Sequence, residues 1–129
     1  MTPRIPFEEM GIPSEIGEHT FDVIQGLLRE QPNSSIDIQT VSEETGFFGP
    51  VVKKVFYALL AFRKLKATFQ PRHKACGNIV GLQERSAETV RQKAIQGEYI
   101  CDHCFQRIDS PDDIEIQIVF WRPGADVDV

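Results

Sequence analysis

The sequence predicts an α+β fold, and three observations carry that expectation. Apolar residues recur at helical spacing through the first half, from Ser14 to Leu65. Runs that alternate or are rich in β-branched residues dominate the second half. Two ligand-spaced clusters, HKACG at 73–77 and CDHCF at 101–105, use all three cysteines of the chain. A length of 129 residues suffices for one compact domain, or for a small domain with an extension sharing its core.

Residues 1–13 read as an irregular arm, because Pro3, Pro6 and Pro13 lack amide donors and hold their predecessors extended. Ser14 is placed to cap a helix over 14–31, where Ile16, Phe21, Ile24, Leu27 and Leu28 share one face and Pro32, Asn33 and Ser34 end it. From Ile36 a short helix turns Ile38 and Val41 inward and stops at Gly46, which tolerates a left-handed turn. Residues 50–65 predict a longer helix whose stripe of Val51, Val52, Val55, Phe56, Leu59, Leu60 and Phe62 leaves Lys53, Lys54, Arg63 and Lys64 in solvent.

Beyond it, KATFQPRHKACGNIVGL from Lys66 predicts two extended arms around a turn at 73–78. Residues 85–97 predict a polar helix with Ala87, Val90, Ala94 and Ile95 inward and Gly97 as its stop. Ser110, Pro111, Asp112 and Asp113 make a turn before the alternating strand IEIQIVFW from Ile114, which is expected to pair with the short segment 105–108 as a hairpin. Trp121 is expected to cover the inner face of that strand, and the tail after Pro123 reads as acidic and loose.

The order of a leading helix, a short helix, the turn at Glu44, Thr45 and Gly46, a longer basic helix and a hairpin resembles the winged helix-turn-helix superfamily over roughly residues 18–83. The resemblance implies a winged-helix-like domain at 14–83, with the hairpin as its wing; residues 84–123 read as an extension that shares its core, before a tail at 124–129. That superfamily includes both DNA readers and protein-docking modules.

The two clusters define one candidate metal site. Each places two ligands three residues apart, as a tight turn needs if both side chains are to meet one tetrahedral ion, and the 24 residues at 77–100 can fold between them. His73, Cys76, Cys101 and Cys104 therefore form a Cys₃His set for one structural Zn²⁺, with His103 as the competitor for the histidine position. Gly77 stands behind Cys76 where a knuckle needs a relaxed turn; Phe105 stands in the equivalent place behind Cys104. The set resembles a zinc ribbon with one cysteine replaced by histidine and a helix inserted between its halves, so the metal is expected to staple the C-terminal helix and hairpin onto the wing. The bland alternative is a core Cys76, a surface His73 and a free dithiol at 101 and 104. A redox role for that CxxC suits the placement poorly, since Cys101 follows a predicted helix instead of starting one.

Net charge is −5, but it is segregated. Residues 1–44 carry −7 and residues 84–129 carry −5, whereas residues 45–83 hold Lys53, Lys54, Arg63, Lys64, Lys66, Arg72 and Lys74 without one acid. On a winged helix these seven would face duplex DNA, mostly as phosphate contacts, with only Lys53, Lys54, Thr45 and Gln39 placed near base edges. A solvated helix face is the alternative for the same run.

No nucleophile–base arrangement or phosphate-cradling glycine loop occurs, and a four-ligand shell leaves no place for a catalytic water, so an enzyme is not expected. No apolar run approaches the roughly 20 residues of a membrane span. With no apolar leader, the expected compartment is the cytoplasm, or the nucleus of a eukaryote. The expected function is a zinc-stabilised transcription regulator or accessory factor that binds duplex DNA. The alternative is a protein-interaction adaptor that docks its helical face on a larger assembly, with the acidic flanks choosing the partner.

Overall fold

A computed structural model of the chain describes residues 5–127. Its fold is mixed α+β: four α-helices, with two two-stranded sheets in the second half. The described residues form two compact units, one of residues 5–66 with 120–126 and one of residues 67–119 with 127. No helix among the described residues is long and apolar enough to cross a membrane.

The first unit is built on three mutually packed helices, α1 (Ser14–Glu30), α2 (Ile38–Thr45) and α3 (Gly49–Ala61). Ser14 is the first residue of α1 rather than its cap, because Pro13 occupies the cap position and offers no side-chain acceptor. The N-terminal arm is more ordered than its prolines suggest: Ile5, Phe7 and Ile12 are buried, and residues 8–10 form a 3₁₀ turn. Phe7 seats its ring against Gly17 of α1, where any Cβ would collide with it. Pro3 of the expected arm lies outside the described residues.

Asp37 caps α2 by accepting the Thr40 amide at 2.7 Å, so the helix begins two residues later than Ile36, which is instead bridged to Phe120. Gly46 ends α2 at φ 75°, the left-handed turn expected of it. Helix α3 buries Val52, Val55, Phe56, Ala58 and Leu59 and stops at Ala61, four residues short of the expected end. A Schellman closure stops it: the Lys64 amide donates to Leu59 O at 2.7 Å and the Arg63 amide to Leu60 O at 3.0 Å, with Arg63 at φ 58°. Phe62, expected inside, is therefore a cap residue and is half exposed. The tail is not wholly loose, since Ala125 is buried and its carbonyl accepts Lys66 Nζ at 3.4 Å; residues 128–129 lie outside the described residues.

The second unit contains β1 (Lys66–His73), α4 (Ala87–Ile95), β2 (Tyr99–Cys101), β3 (Gln106–Ile108) and β4 (Ile114–Trp121), the outer ends of β1 and β4 belonging to the first unit. Two strand pairings differ from the expected ones. β4 pairs with β1, and segment 106–108 pairs antiparallel with β2 in the register Tyr99↔Ile108 and Cys101↔Gln106. The returning arm of the expected wing meets β1 at the isolated bridges Phe69↔Glu84 and Arg72↔Ile79, with the Val80 amide donating to Pro71 O at 3.1 Å and Gln70 Nε2 to Gly81 O at 2.7 Å, but forms no continuous strand. The reason lies in the second cluster. Residues 102–105 are themselves a hairpin turn, which uses β3 on the preceding strand and leaves β4 for β1. Ser86 caps α4 by accepting the Thr89 amide at 3.2 Å, and Val90 and Ala94 pack with Tyr99, Cys101, Ile108 and Ile114 as the core of this unit.

Candidate metal centre

The first knuckle sits where β1 runs out. Its turn is closed by the amides of Cys76 and Gly77, both donating to His73 O at 3.3 and 2.7 Å, while the His73 amide donates to Asn78 O at 2.8 Å. Gly77 adopts φ 75°, so the chain reverses without strain directly behind the second ligand. The second knuckle sits where β2 runs out, and its Cys104 amide points at Cys101 Sγ at 3.4 Å. Phe105 repeats the left-handed conformation at φ 54°. Both halves thus share one backbone design: ligand, two residues, ligand, left-handed residue.

The design brings His73, Cys76, Cys101 and Cys104 together, with one ligand atom from each lying within 4.8 Å of all the others. Cys76 Sγ is 3.4 Å from His73 Nδ1 and 3.6 Å from Cys101 Sγ. An ion with metal–sulfur bonds of about 2.3 Å and metal–nitrogen bonds of about 2.0 Å has tetrahedral edges of roughly 3.8 Å between sulfurs and roughly 3.5 Å from sulfur to nitrogen. The two separations fit those edges, whereas a disulfide requires about 2.05 Å. All three cysteines are free, and the burial of His73 and Cys101 shields the cluster from water on the core side. His103 is exposed on the rim of a neighbouring cleft with Arg72, Asn78, Ile79 and Asp102, outside the ligand cluster.

Asn78 is the functional residue that the spacing argument missed. Its backbone and its side-chain amide, 3.2 Å from Cys76 Sγ, both donate toward that sulfur and lower the Cys76 pKa to about 6. The sulfurs then divide the charge unequally. Hydrogen bonding to Cys76, burial and the nearness of Cys101 push Cys104 up to about 11. Asn78 therefore favours the thiolate form of Cys76 while its neighbours disfavour that of Cys104, and a divalent cation would supply the positive charge that lets such thiolates stand together. The sequence signal for Asn78 was its place two residues past the second ligand, where knuckle amides turn toward sulfur.

The seven basic residues do not share one environment. Lys53 and Lys54 are exposed on α3, Lys53 lying 5.8 Å over the Tyr57 ring, and Arg63 is exposed just beyond the helix. Lys64 is half-buried and lines a cleft beside α1. Lys66 is tied to the Ala125 carbonyl. In the second unit, Arg72 donates to Gln117 Oε1 at 2.6 Å and Gly77 O at 2.7 Å, and Lys74 donates to Asp112 O at 3.2 Å. Of the residues considered for base contact, Thr45 spends its hydroxyl on Val41 O at 2.8 Å and on the Phe47 amide at 3.1 Å, and Gln39 donates to Glu43 at 3.2 Å. Comparisons with protein-family models, with curated proteins and with solved structures found no match to this chain.

Proposed function

We propose that the chain is a non-enzymatic, zinc-stabilised module of winged-helix type that binds duplex DNA through α3. The convergence of three thiols and one imidazole at tetrahedral-edge separations carries the zinc part. A sulfur-rich, four-donor set suits Zn²⁺ among common divalent ions, and its closed shell leaves no position for a reacting water. Native mass spectrometry of chain prepared without chelator should find one zinc per chain; only the bare mass would overturn the assignment.

For DNA, support comes from α3 itself: Lys53 and Lys54 are exposed, Arg63 follows, and the helix has no acidic residue. Lys66, Arg72 and Lys74 leave the contact set because hydrogen bonds within the chain engage them, and Lys64 because it is half-buried in a cleft beside α1 instead of standing on the exposed face of α3. Three phosphate contacts predict weak binding with a log–log salt slope of about −3 and little sequence discrimination. Fluorescence anisotropy with a mixed-sequence duplex at rising salt measures that slope, and Lys53→Glu with Lys54→Glu should abolish binding while zinc is retained. Affinity that survives both charge reversals sinks the DNA reading.

A specific observation favours the adaptor as the second reading. Phe48 is 74% exposed, Tyr57 42% and Phe62 40%, so the lysines of α3 stand among aromatic surface that phosphate contacts do not require. A nuclease-insensitive protein partner lost on Phe48→Ser, with no DNA binding at low salt, would put this reading first.

A further inference from the structure

A cleft of about 450 Å³ lies within the helical unit, a volume suited to a small organic ligand. Phe21, Leu28 and Pro32 give it an apolar wall, while Arg29, Lys64 and Arg122 bring three cations to it and no acidic residue lines it. Arg29 stands in the last turn of α1, where a cation is favourable in any case, and Lys64 lies three residues beyond the end of α3. Arg122 has no such reason to be there. It is half-buried, and its Nε donates to Pro32 O at 3.1 Å and its Nη2 to Gly124 O at 3.3 Å. Both acceptors are neutral carbonyls, so the guanidinium is held in place with its charge uncompensated, and no carboxylate of the described residues pairs with Arg29, Lys64 or Arg122. Three cations gathered beside apolar wall, in a chain of net charge −5, give the mouth of this cleft a local positive field of the kind that attracts an anion.

We infer that this cleft is a binding site for a small amphipathic organic anion, with a ring-sized apolar body against Phe21 and Leu28 and a carboxylate or phosphate head on Arg122, Lys64 and Arg29. The planar guanidinium fits either head with paired hydrogen bonds, and the body accounts for the apolar wall. The site is independent of the zinc and DNA assignments, since it uses none of the four ligands and none of Lys53, Lys54 or Arg63.

The test is amide-resolved NMR titration of the zinc-loaded full chain at low ionic strength with phenylacetate, phenyl phosphate, benzyl alcohol and inorganic phosphate. Saturable shifts confined to α1 from Phe21 onward, to the residues around Lys64 and to segment 121–124 are expected with phenylacetate or phenyl phosphate, whichever binds tighter naming the head group. Equal response to benzyl alcohol, equal response to inorganic phosphate, shifts centred elsewhere, or no response to either amphipathic anion would each overturn the inference. Arg122→Met should weaken binding roughly tenfold, as loss of one charge-assisted contact does. Because Arg122 also ties two backbone carbonyls, Arg29→Met and Lys64→Met serve as variants outside those ties, each expected to weaken binding roughly threefold. Unchanged affinity in both would also overturn the site.

Discussion

The helical unit of this chain and the unit that carries the His73, Cys76, Cys101 and Cys104 cluster reach a buried core with different materials. In the first, Ile12, Ile24, Val41, Val52, Val55, Phe56 and Leu59 are all essentially inaccessible to water, so apolar burial alone closes the space among three helices. In the second, the core is Val90, Ala94, Tyr99, Cys101, Ile108 and Ile114, with one short helix and short strands, and a ligand sulfur lies among its members. A unit of that size with so few large apolar residues is one that a metal staple would stabilise. Two core strategies in one chain imply two separable responses to perturbation.

The largest effect should come from removing the metal. Zinc sites of this kind contribute apparent binding free energies of about 10–16 kcal/mol that are folding free energy, since the ligands converge only in the folded state. Cys101→Ser with Cys104→Ser, or a strong chelator, should abolish amide-exchange protection over residues 67–119 while α1, α2 and α3 keep theirs. Acidification acts in the same direction, because every ligand must be deprotonated to bind and protons compete with the ion. Protection retained in the second unit without metal would break the comparison outright.

Phe56→Ala is the converse experiment. Phe56 is fully buried in α3 and meets Phe120 edge-on at 4.8 Å, so its removal should cost about 3–5 kcal/mol, by thermal or denaturant unfolding, as a large cavity in an apolar core does. Zinc should remain at one per chain by native mass spectrometry. Loss of zinc in this variant would mean that the two cores melt as one.

The same contrast explains how much could be read from the sequence. The stripe of α3 was legible because Val52, Val55, Phe56 and Leu59 are local neighbours on one helix face, and all four are fully buried. The four ligands were legible because spacing within each knuckle is also local, although the two knuckles are far apart in the chain. Strand partners were not. The Ser110–Asp113 turn suggested that β4 folds back on 105–108, yet that segment was already claimed by β2 across the ligand-bearing turn, and nothing short-range identifies β1 as the partner of β4. The packing of the arm was hidden for a different reason: Ile5, Phe7 and Ile12 have no helical or strand period and reveal themselves only against a surface such as Gly17. The basic segment was legible as composition alone, because the Ala125 carbonyl that engages Lys66, the Gln117 side chain that engages Arg72 and the Asp112 carbonyl that engages Lys74 lie far along the chain.

The smallest effect separates the two knuckles. Gly77 and Phe105 hold equivalent places with φ of 75° and 54°, so the same substitution logic should act on them with opposite sign. A Cβ at Gly77 meets nothing within 4 Å, which makes the cost of Gly77→Ala purely conformational, about 1 kcal/mol for a left-handed L-residue. Phe105 is 88% exposed, so Phe105→Gly gives up almost no packing and relieves the same strain. Its gain should nevertheless be smaller, roughly 0.5 kcal/mol, because glycine also widens the unfolded ensemble. Competition with a chelator of known affinity reads both: Gly77→Ala should bind zinc about fivefold more weakly and Phe105→Gly about twofold more tightly, since turn strain and metal binding are drawn on in one folding step. If Phe105→Gly instead weakens zinc binding, the exposed ring supports the knuckle through contacts, and the backbone likeness of the two halves does not extend to their energetics.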